Sequence, residues 1–600
     1  MPNISDRFVV MVQRLGELLA NYPLVAAWYT AVVRFLFPIL ALLILVRSIR
    51  SLLNVPHLPE VWAYLTLPNG LSEPLTHWEN ILGRSGASDV VLSYPSVSRQ
   101  HAALILDKDR GWTVYDLDST GGVALNGSPV SGSARVAYGD VLSLGGVETV
   151  LLPVSPEEQS SRRERRREGG KPVSPWTGLL FLTVFQALTA VQLMVAGGAE
   201  TSPLLPAAFF CLTAVMWSYF LAMRAIRRVG FEMETIAFFL STLSLAVTAS
   251  SAPSSLFKQL AALLLGLFLF VVLGSFLRDL DRVKKIRWLM AGAAMGLLGL
   301  TLLLGRAKFG AVNWISLGGF SLQPSELAKI CYVFAGSATL DRLFRKRNLG
   351  LFMVLTAVCL GCLALMSDFG TAAIFFVTFL VIAFLRSGDW ATLTLISGGA
   401  VFAAAILMVF KPYILRRFST WRHAWEYAST GGFQQVRTMS AAASGGLVGV
   451  GAGEGWLHRV PAADTDLVFG MLCEEWGLII GILAVLSIVT LAVFAVRSCR
   501  AGRSSFYTIA ACAATSLLVF QTCLNVFGSV DLLPLTGVTF PFVSNGGSSM
   551  VASWGLLAFL KATDTRQNAS FAIRLPSWRE GQAVYFPQTP PPPTEDGDTY

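Results

Sequence analysis

Charge is scarce in this 600-residue chain: Asp, Glu, Lys and Arg make up 14% of it while 54% is hydrophobic, against roughly 25% charged in a soluble globular domain. Mean hydropathy is +0.59. A single soluble domain is excluded, and most of the chain is expected in lipid. Cysteine is sparse too. All eight (211, 331, 359, 362, 473, 499, 512 and 523) lie in or at the edge of apolar runs, which argues against a disulfide framework. Cys359 and Cys362 form a C-x-x-C with no second pair or histidine cluster beside it, so they read as small buried hydrophobes rather than metal or redox ligands. Acidic residues are the minority, 37 against 46 Lys and Arg, for a net charge of +9. A nucleic-acid partner is not expected from that excess, because the basic residues collect at the ends of apolar runs: Arg47 and Arg50, Arg162 to Arg167, Arg224 to Arg228, Arg278 to Arg287, Arg342 to Arg347, Arg386, and Arg497 to Arg503. That is the pattern of cytoplasmic loop ends.

What is present is a long series of apolar runs. The first, at 25–46, lacks a small-residue cleavage pattern and is expected to be a retained anchor helix over 25–50. Further spans are expected near 176–197, 203–223, 232–250, 256–277, 288–305, 325–340, 349–366, 371–386, 391–410, 467–496, 504–527 and 547–562, about thirteen helices in all. With the basic clusters inside, the N-terminus falls outside and the C-terminus inside. Two outer loops follow, 306–324 and 411–466. The second is long and rich in glycine, aromatics (Trp421, Trp425, Tyr427, Trp456) and basic residues (Lys411, Arg416, Arg417, Arg422, Arg437, Arg459), which points to function. The tail, 563–600, ends PQTPPPPTEDGDTY and is expected to be disordered and cytosolic.

Residues 60–153 break the apolar pattern. Short alternating segments, VVLSY, AALIL, WTVYDL, GVALNG and VLSLGG, are separated by turns and predict a small β-sandwich, followed by a basic linker over 154–175. Gly83-Arg84, Asp89-Val-Val-Leu, Ser98-Arg-Gln-His101, Asp116-Leu-Asp-Ser-Thr120 and Asn126-Gly127 together resemble the forkhead-associated (FHA) domain. That resemblance implies binding of a phosphothreonine protein, hence a Ser/Thr kinase in the same cell. Arg84, Ser98, Arg99, Thr120 and Asn126 form its phosphothreonine-binding set, with His101 and Asn126 also bracing the loops. A guanidinium and hydroxyl donors suit a phosphate. The family's S-T-N-G-T is Ser119-Thr-Gly-Gly-Val123 here, so one peptide contact is missing at Gly121. Thr589, Thr594 and Thr599 of the tail are candidate ligands in cis.

Polar residues inside or beside the spans mark functional positions, since a charge in hydrocarbon is costly: Glu326, Lys329, Asp368, Asp466, Glu474, Glu475 and Asn525. Glycines cluster at 445–455 and 544–549. Asn313-Trp-Ile-Ser-Leu-Gly-Gly-Phe-Ser-Leu-Gln-Pro-Ser-Glu-Leu-Ala-Lys329, Ser367-Asp-Phe-Gly-Thr371, Gly445-Gly-Leu447, Asp464-Thr-Asp-Leu-Val-Phe469, Glu474-Glu-Trp-Gly477 and Leu533 to Ser549 resemble the SEDS proteins FtsW, RodA and SpoVE. The resemblance covers 230–562 and implies a ten-helix core, with the anchor, the FHA domain and a hairpin at 176–223 as additions. The fold class is thus a polytopic α-helical membrane protein with an inserted cytosolic β-sandwich, multi-pass in the bacterial cytoplasmic membrane.

The resemblance implies an inverting glycosyltransferase that polymerises lipid II during division or elongation, works with a class B penicillin-binding protein (a transpeptidase), and is regulated through the FHA domain. A lipid II flippase and a weakly catalytic phospho-dependent scaffold are the alternatives. Asp466 matches the family's essential aspartate and is expected as general base. From the residues alone it also fits a helix N-cap. Lys329, Glu326, Gln323, Asp368, Arg416, Arg417, Ser548 and Ser549 are expected at the substrate, Lys329 with Glu326 either as a pyrophosphate contact or as a buried ion pair. The family's P-E-x-H-T-D is Pro461-Ala-Ala-Asp-Thr-Asp466 here. The added Asp464 would shift the pKa of the base or join Asp466 in holding Mg²⁺ or Mn²⁺. No organic cofactor is expected. Two further departures are Asn545, where Tyr is usual, and Asp531, where Gly is usual.

Overall fold

The computed structural model describes residues 21–54, 59–86, 88–107, 111–168, 173–198, 202–308, 311–317, 320–339, 346–387, 390–410, 417–499 and 501–566. Arg416 and the tail beyond 566, including its three threonines, lie outside them. Two units are distinguishable: Val61–Ser155, and the described residues on either side of it.

Within Val61–Ser155 the chain makes eleven strands: β1 (Ala63–Thr66), β2 (Ser72–Leu75), β3 (Glu79–Gly83), β4 (Val90–Val91), β5 (Ala102–Asp107), β6 (Gly111–Asp116), β7 (Val123–Leu125), β8 (Ser128–Pro129), β9 (Ser133–Val136), β10 (Val141–Leu144) and β11 (Val147–Leu152). They form a six-stranded sheet, β2-β1-β11-β10-β7-β8, and a five-stranded one, β4-β3-β5-β6-β9. Alternate side chains point to one face, so Leu65, Leu82, Leu104, Val114, Leu144 and Leu151 are fully buried. The expected strand VVLSY is only two residues long: the Tyr94 N–H turns back to the Leu92 carbonyl at 2.8 Å, and Pro95 cannot donate to a ladder.

In the other unit, backbone groups that meet no water must bond one another within a segment, which selects helices. The thirteen expected spans fall on α1 (Pro23–Asn54), α3 (Pro175–Gly197), α4 (Leu204–Ala225), α5 (Glu232–Ser251), α6 (Leu256–Phe276), α7 (Leu280–Leu304), α8 (Pro324–Thr339), α9 (Lys346–Leu365), α10 (Phe369–Ser387), α11 (Trp390–Phe410), α13 (Val468–Cys499), α14 (Ser505–Ser529) and α15 (Gly547–Thr563); α2 (Pro156–Glu168) is charged. Among the described residues, eight of these helices are long and apolar enough to cross a membrane. Helices α5 and α15 are buried almost all round. Helix α15 packs on α6, α8 and α14, brought close to α6 by Gly266, where a Cβ would stand 3.1 Å from Trp554 Cβ.

The outer loop expected over 411–466 has secondary structure of its own. It contains α12 (Phe433–Gly445), which packs along α13 and buries Gln435, Val436, Thr438, Ala441 and Gly445, residues at helical spacing but too short and polar a set for a hydropathy search. The other loop, 306–324, carries a three-stranded antiparallel sheet of β12 (Arg306–Lys308), β13 (Ala311–Leu317) and β14 (Phe320–Leu322). Helix α13 is kinked at Gly477 (φ 86°, ψ 162°). There the chain after α12 crosses it so closely that a Cβ would lie 2.3 Å from the Leu447 carbonyl oxygen. All eight cysteines are free thiols.

Candidate functional site

The segment 530–546, between α14 and α15, brings several of the polar residues of the helical unit together. Asp466 stands two residues before α13, its N–H donating to the Ala462 carbonyl at 2.9 Å. Its carboxylate faces Gly537: a Cβ there would sit 3.2 Å from Asp466 Oδ2, so the glycine adds no side chain on that side of the aspartate. Asn525 of α14 ties the two segments together, its amide donating to the carbonyls of Asp466 (3.0 Å) and Val538 (2.8 Å). Arg417 donates to the Leu535 carbonyl and bears electrostatically on Asp466.

Burial pushes the Asp466 carboxyl up to about 6; the charges of Asp464 and Asp368 push the same way, and the Thr465 hydroxyl and Arg417 oppose them. Asp368 is also raised, chiefly by burial. It caps α10 through the Thr371 N–H (3.0 Å) and accepts from the Asn313 amide at 2.8 Å. Asn313 Oδ1 and Thr536 Oγ1 are buried with no hydrogen-bond partner among the described residues.

Lys329 and Glu326 form a buried ion pair at 2.7 Å. Lys329 also donates to Gln521 Oε1 (3.0 Å), and Gln521 Nε2 donates to the carbonyl and the hydroxyl oxygen of Thr539, both at 2.9 Å. Thr539 Oγ1 is 2.8 Å from Ser549 Oγ, and Ser548 Oγ accepts from the Gln323 N–H at 3.0 Å. Gln323, Glu326, Lys329, Ser548 and Ser549 thus belong to one polar network that reaches segment 530–546 at Thr539. Gln521 and Thr539, which link it, were missed by sequence reasoning. A polar Gln in the apolar run of α14 was the available signal.

The three departures from the family spelling have structural partners. Asp464 Oδ2 accepts from the Asn545 amide (2.7 Å) and the Ser251 hydroxyl (3.3 Å), and its carbonyl accepts from the Asn545 N–H at 2.8 Å. The two unusual residues hold each other. Asp531 (φ 61°) accepts from the N–H groups of Arg422 (3.2 Å) and Ala424 (3.3 Å), pinning the turn after Arg417. Glu474 accepts from the Trp456 and Leu457 N–H groups (2.9 and 3.0 Å), and Glu475 from Gly453 at 2.9 Å, so both glutamates hold the backbone of the loop before Asp466. Among the described residues no three His, Cys, Asp or Glu gather as a cation site. Asp464 Oδ2 is committed to Asn545 and Ser251, and two carboxylates are fewer ligands than a closed cation site needs.

The sandwich has a site of a different kind. Arg84, Arg99 and Thr120 are exposed on loop tips and Ser98 is half-buried. Backbone bonds set the loops: Arg84 N–H to the Ser98 carbonyl (2.9 Å) and Ser85 N–H to that of Arg99 (3.0 Å). Ser98 Oγ accepts from the Thr120 N–H at 3.0 Å. His101, fully buried, accepts the Ser98 N–H on Nδ1 (3.0 Å), so its Nε2 donates to the Gly122 carbonyl at 2.9 Å. Asn126 spends its amide on Asp140 Oδ1 and the Val141 N–H, both at 2.9 Å; of the two roles expected for it, bracing is the one these bonds describe. At Gly121 a Cβ would lie 2.7 Å from Gly145 Cα, so the missing Asn side chain belongs with a tighter loop packing.

Residues 216–569 match the FtsW/RodA/SpoVE family, described as cell cycle proteins, and residues 80–145 match the FHA domain. A RodA of Mycobacterium tuberculosis, named a peptidoglycan glycosyltransferase, is 30% identical over 325 residues, 50% of this chain and 69% of that protein. An FtsW of Bacillus subtilis, named a probable peptidoglycan glycosyltransferase, is 29% identical over 380 residues, 58% of this chain and 93% of that one. The crystal structure of RodA, the rod shape determining protein of Thermus thermophilus, shares 26% identity and covers 55% of this chain and 94% of its own, with a TM-score of 0.41.

Proposed function

This chain belongs to the FtsW/RodA/SpoVE family, and from that premise we propose that it is a peptidoglycan glycosyltransferase that polymerises lipid II, regulated by phosphothreonine binding to its FHA domain. The 4-hydroxyl of one disaccharide attacks C1 of another; the new C1–O bond forms as the bond from C1 to undecaprenyl pyrophosphate breaks, with inversion. Asp466 takes the hydroxyl proton and passes it to water. The observation that supports this reading is the half-buried Asp466 carboxylate, pushed up to about 6 and left open by Gly537. A base is most effective when its pKa lies near the working pH.

The departing pyrophosphate needs positive charge rather than a proton. Arg417 supplies it beside Asp466, and Arg416 is a second candidate. Lys329, spent on Glu326 and Gln521, supports the site from below. Asn313 Oδ1 and Thr536 Oγ1, unpartnered acceptors near the two aspartates, are proposed to take sugar hydroxyls. Any Mg²⁺ would come with the pyrophosphate, which supplies oxygen ligands of its own.

Arg84, Ser98, Arg99 and Thr120 are proposed to grip the phosphothreonine of a partner phosphorylated by a Ser/Thr kinase, on the cytosolic side, a proposal that the basic clusters at the ends of the apolar runs support. A class B transpeptidase is the proposed partner outside. Purified full-length protein given fluorescent lipid II should make a polymer ladder that Asp466→Asn abolishes. An undiminished ladder from the variant removes Asp466 as base, and lipid flipping without polymer replaces the polymerase with a transporter.

A further inference from the structure

Helices α1 and α3 precede the stretch that matches the family, yet both bear on the loop that leads to Asp466. Gly451 (φ +125°) and Gly453 (φ +83°) lie on that loop in a conformation that side chains rarely adopt. On one side the loop is bonded to α13: Val450 N–H to the Glu474 carbonyl (2.9 Å) and Gly451 N–H to that of Glu475 (3.1 Å). On the other side are the added helices. A Cβ at Gly451 would stand 2.8 Å from Thr30 Cγ2 and 3.4 Å from Gln192 Nε2, and one at Gly453 would stand 2.8 Å from Ala196 Cβ.

Gln192 is 1% exposed. Its Oε1 accepts the Thr30 hydroxyl at 3.1 Å, while its Nε2, the atom nearest the glycine run, has no hydrogen-bond partner among the described residues. A buried amide left half-satisfied is costly and marks a constraint other than stability. Farther in, Phe37 of α1 and Phe185 of α3 pack on Trp476 at centroid distances of 4.6 and 5.7 Å, directly before the α13 kink. Between Gly451 and Asp466 the loop is tied at Trp456 and Leu457, whose N–H groups donate to Glu474, and at Asp466, whose N–H donates to the Ala462 carbonyl.

We infer that Thr30 and Gln192 are positioning residues for polymerisation, seating the glycine run so that Asp466 stands where the acceptor hydroxyl arrives. The inference rests on the polymerase reading. It is tested on the full-length protein in detergent with fluorescent lipid II, reading kcat, KM and melting temperature separately. Gln192→Leu, of similar volume, should lower kcat roughly tenfold, since small misplacements in a reacting pair are costly, with KM and melting temperature close to wild type. Gly451→Ala should lower kcat further, and adding Thr30→Ser, which removes the methyl in the way and keeps the hydroxyl for Gln192, should restore part of the loss. Wild-type kcat in Gln192→Leu overturns the inference, as does a loss explained wholly by a lower melting temperature. If Gly451→Ala does not fold, Gln192→Leu decides alone. A wild type that makes no polymer is seen before any variant is made; it sinks the polymerase reading and this inference with it.

Discussion

The two sites of this protein handle charge in opposite ways. On the sandwich, three of the four groups proposed to meet a phosphate sit on exposed loop tips, Ser98 is half-buried, and the fully buried His101 holds the loops from behind. In the helical unit, Asp466 is half-buried among other carboxylates, and an ion pair and two amides lie beneath it. A reader of a ready-made dianion needs cations that water has kept charged, whereas a base must be held where its charge is uncomfortable enough to take a proton. Exposure serves the first task and burial the second.

The sharpest break in that comparison is Asp466→Asn, expected to cut polymerisation by roughly 10²- to 10⁴-fold, the usual worth of a positioned base, with phosphopeptide binding unchanged. Lys329→Met comes next. It leaves Glu326 buried without its partner, an error worth about 3–5 kcal/mol, and should appear as a lower melting temperature with the sandwich unaffected. A smaller effect is expected from Arg84→Ala, which removes charge-assisted bonds worth about 1.5–3 kcal/mol and should weaken a phosphothreonine peptide by roughly one to two orders of magnitude while polymerisation without peptide is unchanged.

The smallest effect concerns pH. As the proposed base, Asp466 must be deprotonated to act, so kcat should fall as pH drops through about 6. The Asp464 charge raises the Asp466 pKa; Asp464→Asn removes that charge and should move the acid limb to lower pH, while its amide oxygen still accepts from Asn545. An unchanged acid limb in both pH profile and Mg²⁺ dependence would remove Asp464 from any electrostatic role.

Much of this was readable residue by residue. Eight of the spans among the described residues announce themselves, because about 20 apolar residues in a row have few alternatives to a membrane helix, and the alternating segments with turn residues between them declare the sandwich. Asp466 was reached through a motif that also fits an N-cap, and its local sequence does not separate the two. Helix α12 escaped because its buried face is small and polar. The purpose of Asp464 escaped because its partner, Asn545, is 81 residues away; each looked like an isolated irregularity, and together they are one contact. Gln521, Thr539 and Gln192 were silent for the same reason.

Read alone, the residue string decides where the apolar helices run and which segment folds as a sandwich, since hydropathy, strand alternation and turn chemistry are local sums over neighbouring residues. Only the tertiary structure decides that Gly537 leaves Asp466 open, that Lys329 is spent on Glu326 and Gln521, and that helices outside the family match bear on the loop before the aspartate. Those facts depend on groups far apart in the chain meeting at contact or hydrogen-bond distance, which no local sum over the sequence contains.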